Sequence, residues 1–305
     1  MITTTALTKS YNDVPVVREV SLHCEPGTIT GFLGANGAGK STTMKMILGL
    51  VRPERGTATI DGQAFIELPN PSRTVGTLLD ASAMHPGRSG RATLTIAARI
   101  AGVQPRRVEQ LLELVGLVDA ADKRVGTYSL GMRQRLGIAQ ALVGGPKVLI
   151  LDEPANGLDP EGIAWMRTLL REFADHGGTV LLSSHLLHEV QATADHLVVI
   201  SNGEVVTAGR LDDLLASSSI LVRSPEPVAL AAALDAAQIL YVAGPGDGLT
   251  VDSADGRVTT EVLAGIAREH DVLLTELRQS DSNGLEELFF SLTSAKAVSP
   301  QEAAA

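Results

Sequence analysis

The sequence predicts an α/β protein, a largely parallel sheet wrapped by helices, followed by a small α+β appendage. Three observations carry that expectation. Residues 148–151 and 179–182 are unbroken apolar runs, as strands buried on both faces require. Residues 28–33 run into a glycine-rich turn and then a helical stretch, 40–50. Between these strands, apolar positions recur at helical spacing.

In chain order, residues 20–24 and 28–33 read as short strands separated by the turn Pro26-Gly27. Residues 57–60 alternate and end at Asp61-Gly62, and 75–79 form a further apolar strand. From 91 to 118 the period changes. Leu94, Ala97, Ala98 and Ala101 share one helical face, and Val108, Leu111, Leu112 and Val115 another, with Pro105 opening the second helix. A third helix, 129–143, has Ser129 placed to cap it. The strand 148–151 leads to a helix over 161–174, with Ile163, Met166, Leu169, Leu170 and Phe173 on its core side. Strands 197–200 and 204–207 flank Asn202-Gly203, a strong hairpin signal.

Ser217-Ser218-Ser219 marks a boundary. Beyond it the pattern reads strand 220–223, helix 228–236, strands near 239–242 and 249–251, helix 260–270 and strand 272–277. A last helix starts near Leu285, with Leu288, Phe289 and Leu292 completing an apolar stripe that suits packing on its own domain. The expected domains are 1–215, with a helical insert at about 84–140, then 216–293, then a polar, alanine-rich tail at 294–305 expected to be flexible.

Composition narrows the function classes. The chain has 305 residues, 44% of them apolar, which excludes disorder over most of its length. A formal net charge of −10 argues against nucleic acid as the main partner, because neutralising phosphates needs clustered Lys and Arg. The single cysteine, Cys24, fits a reducing compartment. No signal-peptide pattern opens the chain, and no apolar run approaches the ~18 residues of a membrane-spanning helix. A cytoplasmic protein is expected, and any bilayer-spanning part of its system lies in another chain.

Gly34-Ala35-Asn36-Gly37-Ala38-Gly39-Lys40-Ser41 fits the phosphate-loop pattern G-x-x-x-x-G-K-[ST] at every position. Its glycines let successive backbone N–H groups face phosphate oxygens at the positive end of the following helix, so Asn36 to Thr42 are candidate contacts. Lys40 can place its ammonium between β- and γ-phosphates, and the Ser41 hydroxyl can ligate Mg²⁺. Residues 148–151 then deliver Asp152 and Glu153 to a strand's C-terminal end, where ligands bind in parallel sheets. Asp152 is a candidate Mg²⁺ holder, and Glu153 a candidate to orient or deprotonate an attacking water.

Tyr128-Ser129-Leu130-Gly131-Met132-Arg133-Gln134-Arg135 resembles the signature of ABC ATPases, L-S-G-G-Q followed by R-Q-R. Asn156-Gly157-Leu158-Asp159 is similar to the family's D-loop, and His185 stands where its switch histidine does. The resemblance covers about residues 1–215. It implies a phosphate-loop NTPase core with an ABC-type helical subdomain and an N-terminal antiparallel β region. It further implies that two such domains, here a homodimer, sandwich two ATP molecules, each ATP meeting the phosphate loop of one chain and Ser129 and Gly131 of the other. Asp159 would join that interface, His185 would contact the γ-phosphate, and Tyr11 would stack on adenine. Asp80 falls where the family usually has Gln; a carboxylate there could still hold Mg²⁺ or water but lacks the amide donor. Leu130 and Met132 also depart from the signature.

The variant Leu-Gly-Met-Arg-Gln-Arg and the appended C-terminal domain resemble the bacterial export and self-resistance branch. That resemblance implies an ATP-hydrolysing subunit working on separate integral membrane permease subunits, at the inner face of the cell membrane. Four alternatives stand beside it. A DNA-repair ABC ATPase needs a long coiled coil between phosphate loop and signature, and the interval from Lys40 to Ser129 has no room for one. A translation-associated ABC protein normally carries two ATPase domains, whereas this chain holds one phosphate loop and one signature. A non-hydrolysing regulator sits badly with Lys40, Asp152, Glu153 and His185 all present. An importer ATPase would share every motif.

Overall fold

The structure is a computed structural model that describes residues 1–215, 219–243, 248–253 and 258–279. It divides into two compact units, 1–209 and 210–305.

In the first unit β1 (Ile2–Tyr11) and β2 (Val14–Cys24) form a hairpin, joined across β1 by β4 (Arg55–Ile60), in a three-stranded sheet of order β2-β1-β4 with antiparallel pairings. Strand β1 is rich in threonine, so its apolar alternation is weak and the sequence pattern does not single it out. Thr4 resolves its own burial by donating to the Val20 carbonyl at 3.1 Å and accepting from the Leu22 N–H at 2.9 Å.

The second sheet is six-stranded. After β3 (Ile29–Leu33) come α1 (Lys40–Ile47), the short α2 (Pro71–Thr74) and β5 (Val75–Leu78). Three helices follow, α3 (Gly90–Ala101), α4 (Arg106–Leu114) and α5 (Leu130–Leu142), packed on one another through Leu94, Leu111, Leu112 and their neighbours. Then come β6 (Val148–Asp152), α6 (Pro160–Asp175), β7 (Thr179–Ser184), α7 (Leu187–Gln191), β8 (His196–Ser201) and β9 (Glu204–Arg210). The order is β5-β6-β7-β3-β8-β9, with β5, β6, β7, β3 and β8 parallel. Asn202 and Gly203 turn β8 into β9 with φ of 50° and 83°, the left-handed pair that a two-residue hairpin turn requires.

Two layers of side chains hold this unit together. Ile2, Leu7, Val20 and Leu22 from the antiparallel sheet meet Phe32, Val148, Ile150 and Val198 from the parallel one, with Met44 and Ile47 of α1 among them. On the far face, α5, α6 and α7 pack on the parallel sheet.

The second unit starts at Arg210, just before α8 (Leu211–Leu215), six residues before the expected start at 216. Strands β10 (Ser219–Arg223), β11 (Tyr241–Ala243), β12 (Leu249–Asp252) and β13 (Glu276–Gln279), with α9 (Pro227–Ala236) and α10 (Thr260–Glu269), give a βαββαβ sequence. The sheet order β11-β12-β10-β13, antiparallel at each pairing, is that of a split βαβ domain. Ile220, Val222, Val251, Leu230 and Leu263 form its core. The expected helix from Leu285 and the tail at 294–305 lie outside the described residues.

Candidate functional site: a phosphate cleft with a paired carboxylate

Three neighbouring strands, β6, β7 and β3, end side by side, and each delivers one part of the site. From β3 the chain enters the glycine turn at Gly34 and leaves it as α1 at Lys40. Gly39 has φ of 106° and caps α1 with no side-chain bond. A Cβ there would stand 2.7 Å from the Val16 carbonyl oxygen, so only glycine fits. At Gly37 (φ 84°) a Cβ would meet nothing within 4 Å, because that side of the turn opens onto the cleft. Ala38 faces the other way: its carbonyl accepts the Gly203 N–H at 3.1 Å, bracing the loop on the β8–β9 turn.

The cleft has a volume of about 250 Å³ and is lined by Asn36, Gly37, Gly39, Lys40, Ser41 and Thr42 on one side and by Asp152 and Glu153 on the other. Lys40 is buried, its Nζ donating to the Gly34 carbonyl at 2.7 Å and lying 3.8 Å from Glu153 Oε1. The ammonium is therefore preplaced beside the cleft, on partners that anionic phosphate oxygens can replace.

Strand β6 ends in Asp152, whose carboxylate accepts the Ser183 hydroxyl of β7. The next residue, Glu153, has φ of 50°, a left-handed conformation that costs a non-glycine residue about 1–3 kcal/mol. Its N–H donates to Ser183 Oγ at 3.0 Å, and its carbonyl accepts from Gln134 Nε2 at 3.3 Å. So held, the carboxylate points between the His185 imidazole and the Lys40 ammonium, with Oε2 2.7 Å from His185 Nδ1 and Oε1 facing Lys40. Sequence reasoning missed Ser183 and Gln134. The signal for Ser183 is the register that pairs it with Asp152, which needs β6 and β7 to be known as neighbours.

The donor set fits a hard divalent cation. Ser41 and Asp152 offer oxygen ligands across one cleft, and among the described residues no group of three His, Cys, Asp or Glu forms a dedicated metal cage. That pattern suits Mg²⁺, which takes one or two protein oxygens and completes its shell with phosphate and water.

The signature residues lie elsewhere on this unit. Ser129 caps α5, its Oγ accepting the Met132 N–H at 3.1 Å, and both Ser129 and Leu130 are exposed. A Cβ on Gly131 would lie 2.8 Å from the Gly157 carbonyl oxygen, so this glycine allows the helix start to rest on the 156–159 loop. Asp159 ends that loop by capping α6, accepting from the Gly162 N–H at 2.9 Å. None of Ser129, Gly131 and Asp159 lines the phosphate cleft of their own chain.

Tyr11 and Asp80 are placed apart from the cleft. Tyr11 is 45% exposed at the tip of the β1–β2 hairpin, with the Lys9 ammonium 5.4 Å from its ring centroid; Val16 of the same hairpin lines the cleft instead. Asp80 caps the turn at 81–83, and bonds from the Ser82 hydroxyl and N–H hold its carboxyl below the usual carboxylate range. It lines a separate groove with His85, Arg88, Ile96 and Ile100, while Leu79 takes the position facing the phosphate loop.

Residues 17–156 match the family profile described as ABC transporter. The chain is 41% identical over 217 residues to the bacitracin transport ATP-binding protein BcrA of Bacillus licheniformis, covering 70% of this chain and 71% of that one. It is 35% identical over 206 residues to the lantibiotic transport ATP-binding protein SrtF of Streptococcus pyogenes, covering 68% of this chain and 89% of the relative. A solved structure of an ATP binding subunit of an ABC transporter superposes with a TM-score of 0.65 at 30% identity, over 70% of this chain and 91% of that one. A phosphate loop, a paired carboxylate and a signature helix on one unit, with these relatives, place the chain in the ATP-binding protein family of the ABC transporters.

Proposed function

We propose that the chain hydrolyses ATP to ADP and phosphate and, as one of a pair, powers separate membrane subunits that export their cargo. The observation that carries this reading is the Glu153 carboxylate, set at the cleft mouth with Lys40 on one side and His185 on the other. A carboxylate there can accept the proton of a water that attacks the γ-phosphorus, while the bond to the bridging oxygen breaks. Lys40 and the amides of residues 36–41 balance the charge on the phosphates. His185, 2.7 Å from Glu153 Oε2, would hold that carboxylate in place and contact the γ-phosphate. Mg²⁺ on Ser41 and Asp152 would neutralise β- and γ-oxygens.

The exposed, serine-capped start of α5 supports the paired state. It is suited to an anion through its free N–H groups and dipole, yet it does not line its own chain's cleft. In the paired state Ser129 and Gly131 of each chain face the ATP of the other, with Asp159 beside them. Tyr11, exposed at the tip of the β1–β2 hairpin, would have to move toward the cleft to stack on adenine.

Coupling to membrane subunits rests on the transport relatives, and among the described residues no helix is long and apolar enough to cross a membrane. The export direction rests on the likeness to bacitracin and lantibiotic transport proteins. A direct test is ATP turnover by the purified chain with magnesium. Wild-type protein turns over, and Glu153→Gln retains ATP but loses hydrolysis by 100-fold or more, on the order expected for a general base. Turnover by Glu153→Gln at the wild-type rate would refute the assignment.

A further inference from the structure

Gln134 is a buried amide whose part in the site is a single bond to the Glu153 backbone. It lies on the second turn of α5, is 5% exposed, and spends one donor on the Glu153 carbonyl at 3.3 Å. Its Oε1 is buried with no hydrogen-bond partner among the described residues. A residue needed only to fill space between α5 and the end of β6 would be apolar, because an amide with an unused acceptor is costly to bury. Its use is therefore to be sought in the bond it makes.

That bond fixes a strained residue. Glu153 at φ of 50° is held from both ends, its N–H by Ser183 Oγ on β7 and its carbonyl by Gln134 on α5. The first clamp belongs to the same sheet as the site. The second belongs to the helix that begins at Ser129.

We propose that Gln134 is a positioning residue through which the helix begun by Ser129 sets the Glu153 carboxylate of its own chain. The proposal rests on Glu153 as the group that activates water. A shift of α5 as Ser129 engages ATP held by the second copy carries Gln134 with it, and so moves the carbonyl that orients Glu153. Occupancy of one site is thereby transmitted to the chemistry of the other. Gln134 does not line the phosphate cleft, so its loss acts on turnover and not on nucleotide affinity.

The test uses the full chain and compares Gln134→Met and Gln134→Glu with wild type and with Glu153→Gln. Both Gln134 variants keep the length of the side chain and lose its amide donor. The expected result is a kcat reduced by about 10- to 100-fold, the scale of a misplaced reacting group. KM and the equilibrium Kd for ATP stay within about twofold of wild type, as the loss of an interaction made only in the transition state requires. Wild-type kcat in either variant would overturn the proposal, as would a Kd that weakens in step with kcat. Loss of the folded state in both variants would mark Gln134 as a core residue and overturn it too. Glu153→Gln separates the two assignments: if it is inactive while Gln134→Met is fully active, only the role of Gln134 fails, and if it is itself active, both fail.

Discussion

Glu153 works only if a carboxylate can be held at a left-handed φ between the Lys40 ammonium and the His185 imidazole, and the residues that hold it are polar and buried around a largely apolar strand end. Ser183 has two duties there, donating to Asp152 and accepting from the Glu153 N–H. Ser183→Ala leaves that N–H without its partner, at a cost of about 1–3 kcal/mol. The expected outcome is a lower melting temperature together with a kcat loss, read by calorimetry and steady-state hydrolysis. Two other buried groups give independent checks. Burial pushes the Cys24 thiol up to about 12, so the native protein should resist alkylation and release one reactive thiol on unfolding. Burial also raises the Glu189 carboxyl above its ordinary value. Such a group binds more protons folded than unfolded, so its contribution is most favourable at low pH and is lost as pH rises through the folded pKa. Glu189→Gln should therefore raise the melting temperature near pH 8, with the gain vanishing by about pH 3, below the ordinary carboxylate range.

At the scale of elements, the start of α5 and the 156–159 loop are built for close contact. Gly131 leaves no room for a Cβ against the Gly157 carbonyl, and at Gly157 (φ 79°) a Cβ would press on Leu130. Gly131→Val should destabilise the first unit by about 1–3 kcal/mol through overpacking, measured by denaturant unfolding. Much of this level was legible in the sequence. The phosphate loop, the cap at Ser129 and the Asn202-Gly203 turn announce themselves because each needs particular residue types at fixed spacing. Strand β1 did not, since its threonines blur the alternation, Thr4 being buried with its hydroxyl satisfied on the Val20 and Leu22 backbone. Nor did Gln134 or Ser183, whose partners lie across a helix–strand contact or a strand register that local pattern does not encode.

At the scale of the whole molecule, residues 1–209 carry every group assigned to the phosphate cleft and to the signature surface. A chain ending at residue 215 should then fold cooperatively and bind ATP with the full-length affinity, read by calorimetry and equilibrium binding. The cleft holds only half of the chemistry, because the serine-capped helix that complements it lies elsewhere on the same unit. Closure by a second copy is the central claim, and the mass in solution of Glu153→Gln with magnesium and ATP tests it most directly. The account predicts a shift from monomer to dimer on adding ATP, abolished when Ser129→Ala is combined with Glu153→Gln. A chain that binds ATP with full affinity and stays monomeric would contradict it.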